Sequence, residues 1–190
     1  MREEFEEDIV ACIKVLQSGG LILYPTDTIW GIGGDATNKE AVQKIYNLKK
    51  REDTKSMIIL VVDERDVLKY VAAPDFAVFD YLEQQPQPTT VIFENAIGLP
   101  TNITGQDGSI AIRITKDKFC KHLVKRFGKP IVSTSANISN ASSPVNFNSI
   151  SNEIKAGVDY VVKWRRNENN SAQPSRIIKW NKNGSITVIR

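Results

Sequence analysis

Histidine is almost missing from this chain: the single copy, His122, lies in the polar run Lys118-Phe119-Cys120-Lys121-His122. Such a setting reads as a helix surface rather than a catalytic base. With no Gly-x-Ser-x-Gly elbow either, serine-nucleophile chemistry has little to build on. Cysteine is equally scarce. Cys12 and Cys120 stand far apart and no Cys-x-x-Cys pair occurs, which excludes a disulfide framework and a structural zinc site. Both cysteines read as small buried or half-buried hydrophobes. A Gly-x-x-x-x-Gly-Lys-Ser/Thr loop is absent, so any phosphate must be held by cations and hydroxyls elsewhere. No apolar run approaches the ~20 residues that span a bilayer. The acidic start Met1-Arg2-Glu3-Glu4-Phe5-Glu6-Glu7-Asp8 is the opposite of a signal peptide. A cytoplasmic protein without membrane contact is expected.

Excess charge is lacking too: 25 Lys and Arg against 22 Asp and Glu leave a formal net charge of +3. That balance points to a local basic site rather than a nucleic-acid coat or basic tail. No internal repeat or dividing linker is visible. The 190 residues, 41% hydrophobic, are therefore read as one domain over 1–190.

Apolar spacing predicts a first helix over 3–17, with Phe5, Ile9, Val10, Ile13 and Leu16 on one face and Ser18-Gly19-Gly20 as its stop. Leu21-Ile22-Leu23-Tyr24 reads as a buried strand ended by Pro25. Asn38 can cap a helix through about Lys50. Met57-Ile58-Ile59-Leu60-Val61-Val62 is a continuous apolar strand, as expected in a sheet covered on both faces. Further helices are predicted over 63–71, 75–84, 117–127 and 149–155, with strands over 90–93, 109–114, 130–133, 158–163, 175–180 and 185–189. The pattern is α/β with a mixed sheet.

Three segments can carry chemistry. The first is Tyr24-Pro25-Thr26-Asp27-Thr28-Ile29-Trp30-Gly31-Ile32-Gly33-Gly34-Asp35, read as a polar loop between a strand and a helix. Read alone it is turn chemistry, with glycines allowing positive φ. Gly31-x-Gly33-x-x-Ala36 fits a relaxed dinucleotide fingerprint, but it starts too far beyond the strand. The second is Lys49-Lys50-Arg51 with Lys55 at a helix end. Arginine there can grip phosphate or carboxylate bidentately, although cations at a helix C-terminus are usually solvated. The third is Ser133-Thr134-Ser135-Ala136-Asn137-Ile138-Ser139 at the C-terminal end of a strand, where open α/β sheets place their ligands. An ordinary capped turn is its plain reading.

In this order the three segments resemble the YrdC-like family of threonylcarbamoyl-AMP synthases. The resemblance runs from about Gly20 to Ile178 and also takes in Ser109-Ile110-Ala111-Ile112-Arg113 and Pro174-Ser175-Arg176. It implies a single-domain, twisted, open mixed α/β sheet flanked by helices, with a large concave basic cleft. It also implies ATP, L-threonine and bicarbonate or CO2 as substrates, and Mg2+ carried by the nucleotide, with no metal ligand assigned in the chain. Lys49 and Arg51 would be the catalytic pair. Lys49, Arg51, Lys55, Ser133, Ser135, Asn137 and Arg176 would bind nucleotide, and Thr28, Arg51 and Ser175 would bind threonine. Lys50, at the intervening position, reads as a surface cation. The family's Arg-Pro, Lys-Pro-Leu and Pro-Gly-Pro-x-Thr stretches are replaced here by Arg51-Glu52, Lys55-Ser56-Met57 and Pro86-Gln87-Pro88-Thr89-Thr90. The charged and hydroxyl groups survive while local backbone shape is altered.

In the implied reaction the threonine amine captures CO2, and the carbamate attacks the ATP α-phosphorus and expels pyrophosphate. Lys49, Arg51 and Lys55, with Arg113 and Arg176, would neutralise and position the mutually repelling anions. A downstream threonylcarbamoyl transferase is the expected partner, with tRNA or double-stranded RNA contact in addition. The rival from another class is a non-catalytic RNA-binding or ribosome-associated module, with Trp164-Arg165-Arg166 as stacking and phosphate groups. A second rival, the related carbamoyl-transfer domain of hydrogenase maturation, normally belongs to a longer multidomain chain.

Overall fold

The structure, a computed structural model, describes residues 3–52, 57–168, 173–181 and 183–190. Its strands are β1 Ile22–Tyr24, β2 Gly31–Gly33, β3 Ile58–Val61, β4 Thr89–Phe93, β5 Ile110–Ile114, β6 Ile131–Ser135, β7 Tyr160–Val161, β8 Arg176–Trp180 and β9 Ile186–Val188. Its helices are α1 Glu6–Gln17, α2 Lys39–Lys49, α3 Glu64–Val67, α4 Ala77–Glu83, α5 Lys118–Phe127 and α6 Asn152–Ala156. Among the described residues the strands form one mixed sheet in the order β7-β1-β2-β6-β3-β5-β4-β8-β9. Pairs β1/β7, β3/β5 and β4/β8 are parallel and the remainder antiparallel.

Strand β2 departs from the sequence expectation of a loop. Gly31, Gly33 and Gly34 do not have positive φ. They serve close packing instead: a Cβ at Gly33 would lie 2.7 Å from the Tyr24 ring and 3.0 Å from Ile131 Cγ2. The glycines let β2 pass between β1 and β6, and the chain returns to the sheet only six residues after Pro25 leaves it.

Helix α2 starts where Asn38 Oδ1 accepts from the amides of Glu40 and Ala41, and it ends at Lys50, whose φ of 49° breaks the helix. Its buried face comprises Ala41, Val42, Ile45, Tyr46 and also Lys49. Helix α5 is capped by Asp117, which accepts from the Cys120 amide, and stopped by Gly128 at φ 78°. It packs on β3 and against α1. The acidic N-terminus has a local purpose: Glu3 pairs with Lys118 at 2.8 Å and Glu6 with Arg126 at 2.7 Å across the α1–α5 seam. Cys12 and Cys120 are both buried and free. His122, half-buried, sets its ring edge-on to Phe5. Among the described residues no helix is long and apolar enough to cross a membrane.

Candidate anion-binding site

The sheet's two faces differ. Ile59, Val132, Ile112 and Val91 are register neighbours across β6-β3-β5-β4, and all four are buried. One residue along, Ser133, Ile58, Ala111 and Ile92 form the parallel row on the opposite face. The small Ser133 and Ala111 in that row, together with Gly31 opposite Ser135, leave a hollow of about 240 Å³ that Ile58 and Ile92 also line. Successive strand residues alternate between faces, so the same face also receives Arg113 and Ser135.

Arg113 is the central group. Although only 3% exposed, its Nη1 donates to Thr28 Oγ1 at 2.9 Å and its Nη2 lies 3.4 Å from Asp27 Oδ1. Its Nε is buried without a hydrogen-bond partner. The Thr26 and Thr28 hydroxyls are 2.9 Å apart, and Thr26 also takes the Thr28 amide and donates to the Ile29 carbonyl. That folds the polar segment back over the strand ends and aims Thr28 into the cavity. From the other side Ser175 Oγ meets Thr90 Oγ1 at 2.8 Å. Arg190 donates from Nε and Nη2 to the Ser175 carbonyl, at 3.3 and 3.1 Å. Three guanidiniums, Arg51, Arg113 and Arg190, thus line one hollow with the hydroxyls of Thr28, Ser133, Ser135, Ser143 and Ser175. Burial lowers the pKa of Arg190, and the positive charge of Arg113 beside it lowers it further; burial also lowers that of Arg51. Arg190, held against the positive charge of Arg113, favours an anion beside it.

Of the residues expected at the site, Thr28, Arg51, Ser133, Ser135 and Ser175 line this cavity. Lys55 lies outside the described residues. Arg176 does not line it. Strand alternation sends its guanidinium to the opposite face, where it donates to Tyr81 Oη at 3.0 Å and Gln85 Oε1 at 3.3 Å. Asn137 sits behind the wall, donating to the carbonyls of Ile138 and Ala141. Lys49 is 1% exposed and donates to the main-chain carbonyls of Ser135 and Asn137, the second at 2.6 Å. Burial, with the Arg51 charge adding to it, pulls its ammonium down to about 8. Lys50 is solvent-exposed and pairs with Glu153 at 2.8 Å. We therefore expect Lys50→Ala to leave turnover within about twofold of the native protein, since an exposed pair contributes only ~0.2–1 kcal/mol; steady-state kinetics check this.

Sequence reasoning missed Arg190 and Ser143. Neither belongs to a recognisable pattern, because β9 and the 139–150 segment reach the cavity only through tertiary folding. Nor does Trp164-Arg165-Arg166 form the exposed stacking platform an RNA module would use. Trp164 packs edge-on against Phe5, Arg165 pairs with Asp117 and Glu168, and Arg166 is bound to the carbonyls of Val161 and Val162. A second hollow of about 450 Å³ lies among α3, α4 and α5. Its lining mixes both signs of charge with Phe79, Leu82 and Ile114, and lacks the convergent guanidiniums.

The structure thus combines an open mixed α/β sheet with an arginine-lined hollow on one face. The chain belongs to the Sua5/YciO/YrdC family: residues 14–190 match the family model, described as "Telomere recombination". Over 160 residues it is 33% identical to the threonylcarbamoyl-AMP synthase of Pseudoalteromonas translucida, covering 83% of this chain and 86% of that protein. It is also 33% identical, over 180 residues, to a putative threonylcarbamoyl-AMP synthase of Methanocaldococcus jannaschii, covering 94% and 84%. Among solved structures, P. abyssi Sua5 complexed with L-threonine superposes with a TM-score of 0.86 at 20% identity, over 100% of this chain and 55% of that one. E. coli YciO superposes with a TM-score of 0.83 at 19% identity, over 97% and 88%. The chain spans just over half the length of the Sua5 structure, and both superpositions bear on the fold alone.

Proposed function

We propose that this protein is an L-threonylcarbamoyladenylate synthase, a nucleotidyltransferase that forms threonylcarbamoyl-AMP and pyrophosphate from L-threonine, bicarbonate or CO2, and ATP. The observation that carries the reading is the convergence of Arg51, Arg113 and Arg190 with serine and threonine residues on one small hollow, in a chain whose relatives are named for that activity. Threonine fits the Thr28–Arg113–Ser175 side: a guanidinium for its carboxylate and hydroxyls for its side-chain OH. The phosphates fit the Arg51 side, against Ser133 and Ser135.

In the reaction, the threonine nitrogen lone pair bonds to the carbon of CO2 and the amine loses a proton. A carbamate oxygen then bonds to the α-phosphorus while the α–β bridging P–O bond breaks and pyrophosphate departs. No enzyme nucleophile takes part. What the chain supplies is charge neutralisation and alignment, bringing a carboxylate, a carbamate and a polyphosphate together. Among the described residues no group of three or more His, Cys, Asp or Glu could hold a metal ion. Magnesium, which usually sits on a nucleotide's phosphates, would be carried by the ATP, and none of these steps is routed through it. The product would pass to a threonylcarbamoyl transferase for tRNA modification in the cytoplasm.

The test is incubation with ATP, L-threonine and bicarbonate, scored for pyrophosphate and for a threonylcarbamoyl adenylate by mass spectrometry. Pyrophosphate release dependent on both threonine and bicarbonate is expected. Release indifferent to either would overturn the reading.

A further inference from the structure

Lys49 occupies a position that phosphate contact does not explain. It lies on the buried face of α2, one turn beyond Ile45 and Tyr46, and it is absent from the cavity lining that includes Arg51 two residues later. Its Nζ donates to Ser135 O and to Asn137 O, while its own carbonyl accepts from the Ser139 amide at 2.8 Å. One residue thus ties three points of the reversal that follows β6. From outside the reversal, Asn137 Nδ2 closes the same turn onto Ala141 O at 2.7 Å. The two carbonyls that converge on Nζ present like partial charges to each other, so without the ammonium they would separate. Ser133 and Ser135, which face the hollow, stand on the strand end that this clamp fixes.

We infer that Lys49 is a positioning residue: it acts from behind the cavity wall by pinning the Ser135–Ser139 reversal to the end of α2, and it does not contact the nucleotide. The inference rests on the synthase reading only for its kinetic consequence.

The first test uses the native protein, with an amine-acylating reagent read by mass spectrometry, with and without ATP. Lys50, exposed next door, serves as the internal reference. Lys49 is expected to label at least tenfold more slowly than Lys50 in both states. Its lowered pKa favours acylation wherever the amine is reachable, so slow labelling reports inaccessibility. Labelling as fast as Lys50 in the free protein, with protection by ATP, would overturn the inference and establish direct contact.

The second test compares Lys49→Met with Arg51→Ala by amide hydrogen exchange without ligand. Exchange over 134–142 should quicken at least tenfold in Lys49→Met and stay unchanged in Arg51→Ala; an unchanged rate in Lys49→Met sinks the clamp. Kinetically, folded Lys49→Met should lose at least 100-fold in kcat for pyrophosphate release while threonine affinity stays within threefold, a split that general destabilisation would not produce. If the Met variant does not fold, labelling of the native protein still decides. If the native protein makes no threonylcarbamoyl-AMP, the synthase reading fails while labelling and exchange still judge the clamp.

Discussion

Arg113→Ala is expected to abolish threonine binding and to lower kcat/KM for threonine by at least ~100-fold, on the basis that a charge-assisted hydrogen bond contributes about 1.5–3 kcal/mol and a bidentate pair more. Arg113 is 3% exposed, so its charge acts with little solvent screening. Its Nε, buried without a partner, marks donor capacity that the protein itself leaves unused. Arg113→Lys should recover little. The Nη1 bond to Thr28 and the Nη2 approach to Asp27 require a planar fork, and an ammonium supplies one point charge. Calorimetric titration with threonine, steady-state pyrophosphate release and a thermal melt of each variant are the measurements. Native-like threonine affinity in a folded Arg113→Ala protein would remove Arg113 from the substrate site and move threonine to the Arg51 side.

Residue by residue, the sequence's legibility follows a physical division. The apolar run 57–62 revealed β3 because a strand buried on both faces needs no period, only hydrophobicity. Asn38 marked the start of α2 because capping is local. Strand β2 was hidden, since two glycines mask the strand preference of the single Ile32, and the reason Gly33 is glycine is Tyr24 and Ile131 across the sheet. The placement of Arg176 was in principle legible. Ser175 and Arg176 are adjacent in an extended segment, so only one of them can face the hollow. Lys49 was legible in the same way, because the series Val42, Ile45, Tyr46 and Lys49 follows helical spacing and turns Lys49 inward while Lys50 turns out. Arg190 was not. Its site partner Ser175 is 15 residues away, and no local pattern tells a strand-end arginine to fold over a cavity.

Asp8→Ala is expected to cost about 3 kcal/mol of stability, because a buried carboxylate loses hydrogen bonds and its former donors are left unpaired. The Asp8 carboxylate is 5% exposed as a residue and accepts from Tyr160 Oη at 2.6 Å, the Lys163 amide at 3.0 Å and the Trp164 amide at 2.8 Å. It is therefore the tie between α1 and the segment that leaves the edge strand β7. Burial and this neighbouring carboxylate together raise the pKa of the Tyr160 phenol, which stays protonated as a donor. For a chain of this size, ~2–4 °C per kcal/mol gives a drop in Tm of about 6–12 °C. Asp8→Asn should not restore the loss, since two backbone amides and a phenol all donate toward the carboxylate and an amide NH2 adds a fourth donor. None of these groups lines the arginine hollow, so turnover well below the melt should match the native protein. Thermal melts of the three proteins, with pyrophosphate release at low temperature, separate the effects. An unchanged midpoint would mean that α1 is anchored by its seam with α5, through Phe5 against Phe119 and the Glu3–Lys118 and Glu6–Arg126 pairs.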